Sequence, residues 1–289
     1  MRILILANND IGLYKFRKEI IEEFILNGHS VYISVPDGPF ISCLKELGSI
    51  FVNTKIDRRG INPEIKPDYV FVIGLSQLID KRILDIPTKG CVGFHPTPLP
   101  KFRGRAAMVW QVLLGVHETK CTLFMLDEGM DSGDILGQQE YFIEDTDYAK
   151  DVERKLCEAL RLLSRQVLIG LKDGTLHPQK QNEEETTYLL IRRPEDGQID
   201  WKEPIEKVHR LVRAVSHPYP GAFGMYDGVH QITIWRAEIV EKKNIIGIPG
   251  QICRIGENSF DVLGSDGILR VTEWDNIDCV KLFVGHKLK

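Results

Sequence analysis

The sequence predicts an α/β fold, a catalytic-sized domain on a mostly parallel sheet followed by a smaller β-rich unit. Three observations carry that prediction. Short apolar runs alternate with amphipathic helical stretches through residues 1–175; residues 176–200 are polar and lack an apolar period; residues 201–289 open with one helix and continue as short β-like runs between turns. A length of 289 residues suits two domains, so the reading is a first domain over 1–175, a linker over 176–200 and a second domain over 201–289.

In chain order, "RILILA" is an apolar strand, and the helix after it places Leu13, Phe16, Ile20, Phe24 and Ile25 near one stripe before Gly28 stops it. "SVYISVP" is β-branched and aromatic, so strand, helix, strand follow one another and a Rossmann-like parallel sheet begins. A short helix is expected from Cys43 to Leu47, then strands at "SIFVNT", "DYVFVIG" and "CVGFH". "RAAMVWQVLLG" reads as helix, with Trp110 expected in the core, and "CTLFMLD" and "DILGQQEYFI" read as strands. From Thr146 to Asp173 the spacing of Val152, Leu156, Leu160, Leu163, Val167 and Leu171 predicts one long amphipathic helix. In the second domain "EPIEKVHRLVRAVSH" is helical, and five short β runs between Ala222 and Trp274 predict a small β barrel or sandwich.

Composition excludes several classes. Hydrophobic residues make up 43% and charged residues 27%, an ordinary globular balance. No apolar run reaches the roughly 18 residues of a membrane span, and the first residues show neither a basic region nor a cleavage site, so a cytoplasmic protein without membrane contact is expected. The six cysteines form no C-x-x-C pair, so free and mostly buried thiols are expected, with no metal site. A net charge of −4 offers no global attraction for nucleic acid.

The first domain lacks the G-x-G-x-x-G turn, the P-loop, the G-x-S-x-G elbow and the H-E-x-x-H pair. What remains is His95, after an apolar strand, and Asp131, in the acidic segment "LDEGMDSGDIL" after another. Loops leaving the carboxyl ends of neighbouring strands can bring the two together. A carboxylate beside an imidazole favours its protonated form, which can stabilise an oxyanion while a neutral amine attacks a carbonyl. Pro96, Pro98 and Pro100 restrict the chain after His95, while Gly129 and Gly133 admit a close approach around Asp131. On residue chemistry alone, His95 is equally a structural histidine, and Asp131 reads as a turn or cap residue before a catalytic one.

"FHPTPLPKFRGRAAMVWQVLLG", "ETKCTLFMLDEGMDSGDIL" and, further on, "RRPEDGQIDWKEPIEKVHRLVRAVSHPYPGAF" together resemble the signatures of the folate-dependent formyltransferases, over residues 69 to 275. That resemblance implies transfer of a formyl group from 10-formyltetrahydrofolate, as co-substrate, to an amine, without a metal. The family's catalytic set is Asn-x-His with a distant Asp; His95 and Asp131 match the last two, and Gly93 stands at the Asn position. The missing amide leaves three readings: a backbone N–H or water replaces it, another residue reaches in, or catalysis is impaired and the chain only binds folate or nucleotide sugar. By the same resemblance the folate lies against Leu75, Gln77, Leu78 and Ile79 and against Asp127, Glu128, Gly129 and Met130, each of which is otherwise packing or turn structure.

The resemblance leaves two amines, a nucleotide-linked amino sugar and an initiator methionyl-tRNA. The early region "VPDGPFISCLKELG" carries one Lys against one Asp and one Glu, and the linker contains "NEEETT", so the sugar is the expected partner and the tRNA the alternative. "KFRGR" is similar to the sugar enzymes. Arg103, Gly104 and Arg105 then hold a phosphate or orient the loop, and Arg192 and Arg193 meet the nucleotide, unless these arginines are simply solvated. The sugar enzymes often pair, so a homodimer is an open expectation. The first 63 residues, with "ILANNDIGLYKFRKEIIEEFILNGHSVYISVPDG" and "IDRRGINP", are also similar to the opening of two-domain bacterial glycosyltransferases, but the second nucleotide-binding domain of those enzymes is absent.

Overall fold

The computed structural model describes residues 1–52, 65–74, 79–241, 244–276 and 278–289. The "IDRRGINP" stretch lies outside these residues, as do Asn53 and Thr54 of the expected third strand. Among the described residues a seven-stranded sheet forms from β1 (Arg2–Leu6), β2 (Ser30–Ser34), β3 (Ile50–Phe51), β4 (Tyr69–Val72), β5 (Gly90–His95), β7 (Glu118–Met125) and β8 (Ile135–Phe142). Its order is β3-β2-β1-β4-β5-β7-β8. The first five strands are parallel; β7 runs antiparallel to β5, and β8 antiparallel to β7.

The central strands are apolar throughout because both faces are covered. Ile3, Leu4, Ile5 and Leu6 of β1 and Val70 and Phe71 of β4 have no exposed surface. Helix α1 (Asp10–Leu26) starts where the Asn9 side chain accepts a hydrogen bond from the Gly12 N–H, and Gly28 beyond its end has φ +77°. Its stripe of Leu13, Ile20 and Phe24 is buried. Short helices α2 (Ile41–Glu46) and α3 (Lys81–Leu84) follow, then α4 (Ala107–Leu113) and the long α5 (Ala149–Asp173). On α5, Val152, Leu156, Leu160, Leu163 and Val167 are each at most 1% exposed, as their spacing requires. Gly137 of β8 sits directly beneath Leu163 and Val167.

The C-terminal residues form α6 (Ile205–Val215) and a five-stranded antiparallel sheet in the order β10-β11-β14-β13-β12. Its strands are β10 (Ala222–Tyr226), β11 (His230–Val240), β12 (Ile252–Ile255), β13 (Phe260–Leu263) and β14 (Ile268–Asn276). This is the small open barrel that the family resemblance implies, the barrel of the two alternatives left by the β runs.

The chain divides into two compact units, but not at residue 175. One comprises 1–104, 118–142 and 154–189; the other comprises 105–117, 143–153 and 190–289. The reason is tertiary. Helix α4 packs on α6, and the Tyr148 hydroxyl both donates to the Ala237 carbonyl and accepts from its N–H, so two early segments join the C-terminal sheet. The stretch read as a plain linker also contributes structure. Its residues Tyr188–Leu189 form β9, parallel to the two-residue β6 (Arg103–Gly104).

The cysteines are less buried than expected. Cys91 and Cys121 are buried, and burial pushes both thiols up to about 12, whereas Cys43, Cys157 and Cys253 are half-buried and Cys279 is exposed. No helix among the described residues is long and apolar enough to cross a membrane. Leu163→Ala leaves a void under α5 and should cost about 2–5 kcal/mol, read as a lowered urea midpoint; a change below about 1 kcal/mol would contradict this packing.

Candidate active site

His95 is the last residue of β5, opposite Thr122 of β7, and is 5% exposed. The proline-rich loop beyond it is tied to neighbouring strands. Thr122 Oγ1 donates to the Thr97 carbonyl at 2.6 Å, the Tyr141 hydroxyl donates to the Pro96 carbonyl at 2.8 Å, and Gln138 Nε2 donates to the Leu99 carbonyl at 2.8 Å. The histidine therefore stands on a rigid support. Its Nε2 donates to the Phe102 carbonyl at 2.7 Å.

Asp131 reaches His95 by a different route from the one the sequence suggested. Because β7 is antiparallel to β5, its carboxyl end points away from His95, with Met125 opposite Val92. The loop after it turns back. The Leu126 N–H donates to the Cys91 carbonyl, the Asp127 carboxylate accepts from the Gly129 N–H and the Ser132 hydroxyl, and Gly133 lies so close to the Met125 carbonyl that a side chain there would overlap it. Asp131 then adopts φ +53°, in the left-handed region. Its Oδ2 lies 3.6 Å from His95 Nδ1 and accepts the Gly104 N–H at 2.8 Å. The first distance is that of an ion pair rather than a hydrogen bond.

A cavity of about 270 Å³ opens where β4 and β5 end. Gly93, Phe94, Pro96 and Asp131 line it, together with Ile79, Asp127, Glu128, Gly129 and Met130, which are five of the eight residues expected at the folate. Leu75, Gln77 and Leu78 lie outside the described residues. Glu128 pairs at 3.3 Å with Lys81, both exposed.

At Gly93 the structure narrows the readings of the missing amide. An ideal Cβ there would meet Leu126 Cδ2 at 2.6 Å and Phe124 Cζ at 2.9 Å. The tips of two apolar side chains thus lie against Gly93 at the wall of the cavity, and a side chain there would have to displace them.

Of the two roles open to Arg103, orienting the loop is the one its partners fit. Only 1% exposed, its guanidinium donates to Gln181 Oε1 at 2.8 and 3.1 Å and to both Glu183 oxygens at 2.7 and 3.1 Å. Contact with a substrate phosphate would require breaking this set. Gly104, with φ +112° and the Leu189 carbonyl packed against it, has room only for glycine. Arg105, exposed, begins the part of the second unit that leads into α4.

Arg192 and Arg193 are in the second unit. The Arg192 guanidinium lies 4.9 Å from the centre of the Trp110 ring and donates to the Asp196 carbonyl, and burial lowers its pKa. Trp110, expected in the core, is half-buried and carries that cation on its face, while its Nε1 donates to the Leu190 carbonyl. The Arg193 N–H donates to Asp196 Oδ2. The same unit has a larger cavity of about 430 Å³, lined by Arg210 and Arg213 among acidic side chains, which contains none of the expected site residues.

Gln181 was not expected at the site. It sits in a polar run with no local signature, and only its partners reveal it: Nε2 donates to the Asp131 carbonyl at 2.8 Å and to the Gly133 carbonyl at 2.7 Å.

Comparison with known proteins gives consistent matches. The family model for formyl transferase matches residues 59–167, and that for the formyl transferase C-terminal domain matches residues 192–281. A methionyl-tRNA formyltransferase of Caldanaerobacter subterraneus subsp. tengcongensis is 37% identical over 178 residues, 62% of this chain and 57% of the relative. HypX from Aquifex aeolicus, in complex with tetrahydrofolic acid, superposes with a TM-score of 0.71 at 19% identity over 96% of this chain and 44% of that one. An N-formyltransferase from Helicobacter canadensis, in complex with folinic acid and dTDP-3-aminofucose, superposes with a TM-score of 0.67 at 17% identity over 95% of this chain and 99% of that one. At these identities the two structural likenesses are of fold. This chain spans less than two thirds of the length of the curated relative and of HypX.

The packing at position 93 gives a test. Gly93→Asn should lower stability by about 1–3 kcal/mol through overpacking against Leu126 and Phe124. Adding Leu126→Ala should return part of that loss, because it makes room for the new side chain. Additive losses in the double variant, measured by urea unfolding, would contradict the crowding.

Proposed function

Since the chain belongs to the formyl transferase family, we propose that it moves a formyl group from 10-formyltetrahydrofolate to an amine at the centre formed by His95 and Asp131. The observation that carries the proposal is the approach of His95 Nδ1 to Asp131 Oδ2, 3.6 Å, beside the cavity where β4 and β5 end.

The neutral amine attacks the formyl carbon, and the carbonyl electrons pass to oxygen. The His95 imidazole donates to the developing oxyanion, and Asp131 orients the ring. The amine gives up its proton, the bond from the formyl carbon to folate N10 breaks, and N10 takes a proton, so the products are the N-formyl amine and tetrahydrofolate. His95 Nε2 donates to the Phe102 carbonyl, so the formyl oxygen gains that donor by displacing a backbone acceptor. The same Asp131 oxygen, Oδ2, accepts the Gly104 N–H.

A nucleotide-linked amino sugar is the acceptor we favour. The net charge of −4 and the acidic segment Glu183–Glu185 oppose the many phosphate contacts a tRNA needs. A second reading, initiator methionyl-tRNA, is supported by the 37% identity with a methionyl-tRNA formyltransferase.

Release of tetrahydrofolate across uridine- and thymidine-linked amino sugars, with initiator methionyl-tRNA included, separates the readings. Turnover with a sugar and none with tRNA is expected; turnover with tRNA alone would move the second reading forward, and silence with folate still bound would leave a binding protein. His95→Ala and Asp131→Ala should each reduce kcat/KM at least ~100-fold. Near-normal rates in either variant would remove that residue from the chemistry.

A further inference from the structure

Arg103, Gln181, Asp131 and Gly104 form a closed ring of hydrogen bonds. The Arg103 guanidinium donates to Gln181 Oε1; Gln181 Nε2 donates to the carbonyls of Asp131 and Gly133; the Asp131 carboxylate accepts the N–H of Gly104, the residue after Arg103. We propose that Gln181, oriented by Arg103, is a positioning residue for formyl transfer, whose amide holds the Asp131 turn and thereby sets the Asp131 carboxylate against His95.

The chemistry of each member supports this role. A carboxamide has two N–H donors and an oxygen with two acceptor sites, and Gln181 uses all four. Turned over, its NH2 would face the guanidinium and its oxygen would face two carbonyls, so the partners fix which end is which. The two carbonyls it bridges flank Ser132, at the turn where Asp131 holds φ +53°. A non-glycine residue in that region costs on the order of 1 kcal/mol and persists only where its surroundings hold it.

Arg103 is in turn held firmly. Its remaining N–H groups engage the Glu183 carboxylate and the Tyr188 hydroxyl, and its backbone N–H donates to the Thr187 carbonyl at 2.9 Å. The same segment steadies the partner of the other His95 nitrogen, because the Phe102 N–H donates to Thr187 Oγ1 at 2.8 Å. Residues 181–188 therefore reach both sides of the imidazole, through Asp131 at Nδ1 and through Phe102 at Nε2.

This inference rests on His95 and Asp131 being the catalytic pair, and the test separates the two. The full-length protein and its Gln181→Met, Gln181→Glu, Asp131→Asn and Gln181→Met/Asp131→Asn variants are compared in formyl transfer from 10-formyltetrahydrofolate to dTDP-3-aminofucose, with folate affinity measured separately. Gln181→Met removes all four hydrogen bonds. Gln181→Glu keeps the size and the contact with Arg103 but turns an oxygen toward two carbonyls, so it tests the amide should the methionine variant fold poorly.

Both single Gln181 variants should lose kcat at least tenfold while folate affinity changes less than about threefold, since a displacement of about 1 Å can cost ~100-fold in rate. The double variant should be no slower than Asp131→Asn alone, because Gln181 acts through that carboxylate. Crystal structures of the Gln181 variants add a readout independent of the acceptor: Asp131 Oδ2 should leave Gly104 N and His95 Nδ1. Four results would overturn the proposal: an unchanged kcat, an equal loss of folate affinity, additive losses in the double variant, or an Asp131 turn unmoved in the variant crystals. A wild-type rate in Asp131→Asn would instead remove the catalytic pair itself, and the positioning role with it.

Discussion

The buried guanidinium of Arg103 is the constraint on which the site depends. A cation at 1% exposure is tolerated only with its N–H groups satisfied and its charge met, and Gln181, Glu183 and Tyr188 do both. All three lie in a segment about 80 residues further along the chain. Seating that segment closes the pairing of β6 with β9, fixes the loop from His95 to Gly104, and delivers the Gln181 amide to the Asp131 turn. One long-range ion pair thus assembles two loops that no shared strand end would bring together.

The second constraint is apolar. Leu126 and Phe124 lie against Gly93, so the amide of the family pattern would have to displace their tips. In the proposed chemistry the burden of charge stabilisation shifts to His95. Its imidazole has oxygen acceptors near both nitrogens, the Asp131 carboxylate at Nδ1 and the Phe102 carbonyl at Nε2. Such a ring needs little rearrangement to meet a developing oxyanion, because only the backbone acceptor must give way. Electrostatic preorganisation of this kind is most effective where the donor is already fixed, and the contacts around Thr97, Thr122 and Tyr141 supply that rigidity.

Much of this was legible in the sequence, and the failures share one cause. The strand runs "RILILA" and "CVGFH" and the stripe from Val152 to Val167 carry local signals, period and composition, and they formed where expected. His95 and Asp131 were found through motif context, since their residue types alone left structural roles open. The two-residue pairing of Arg103–Gly104 with Tyr188–Leu189 has no local period, and Gln181 is one polar residue among many. Burial of Arg103 but not Arg105, and the stacking of Arg192 on Trp110, are decided by distant neighbours. The same holds for α4: periodicity shows that it has an apolar face, but not that α6 covers it.

A crystal structure with a stable 10-formyl folate analogue bound measures the central claim most directly, through the distance from the formyl oxygen to His95 Nε2. The formyl oxygen should lie within about 3.2 Å of that nitrogen, with the Phe102 carbonyl displaced from its 2.7 Å contact and Asp131 still at Nδ1. A folate bound elsewhere, or a formyl group remote from the imidazole with the Phe102 contact intact, would contradict it.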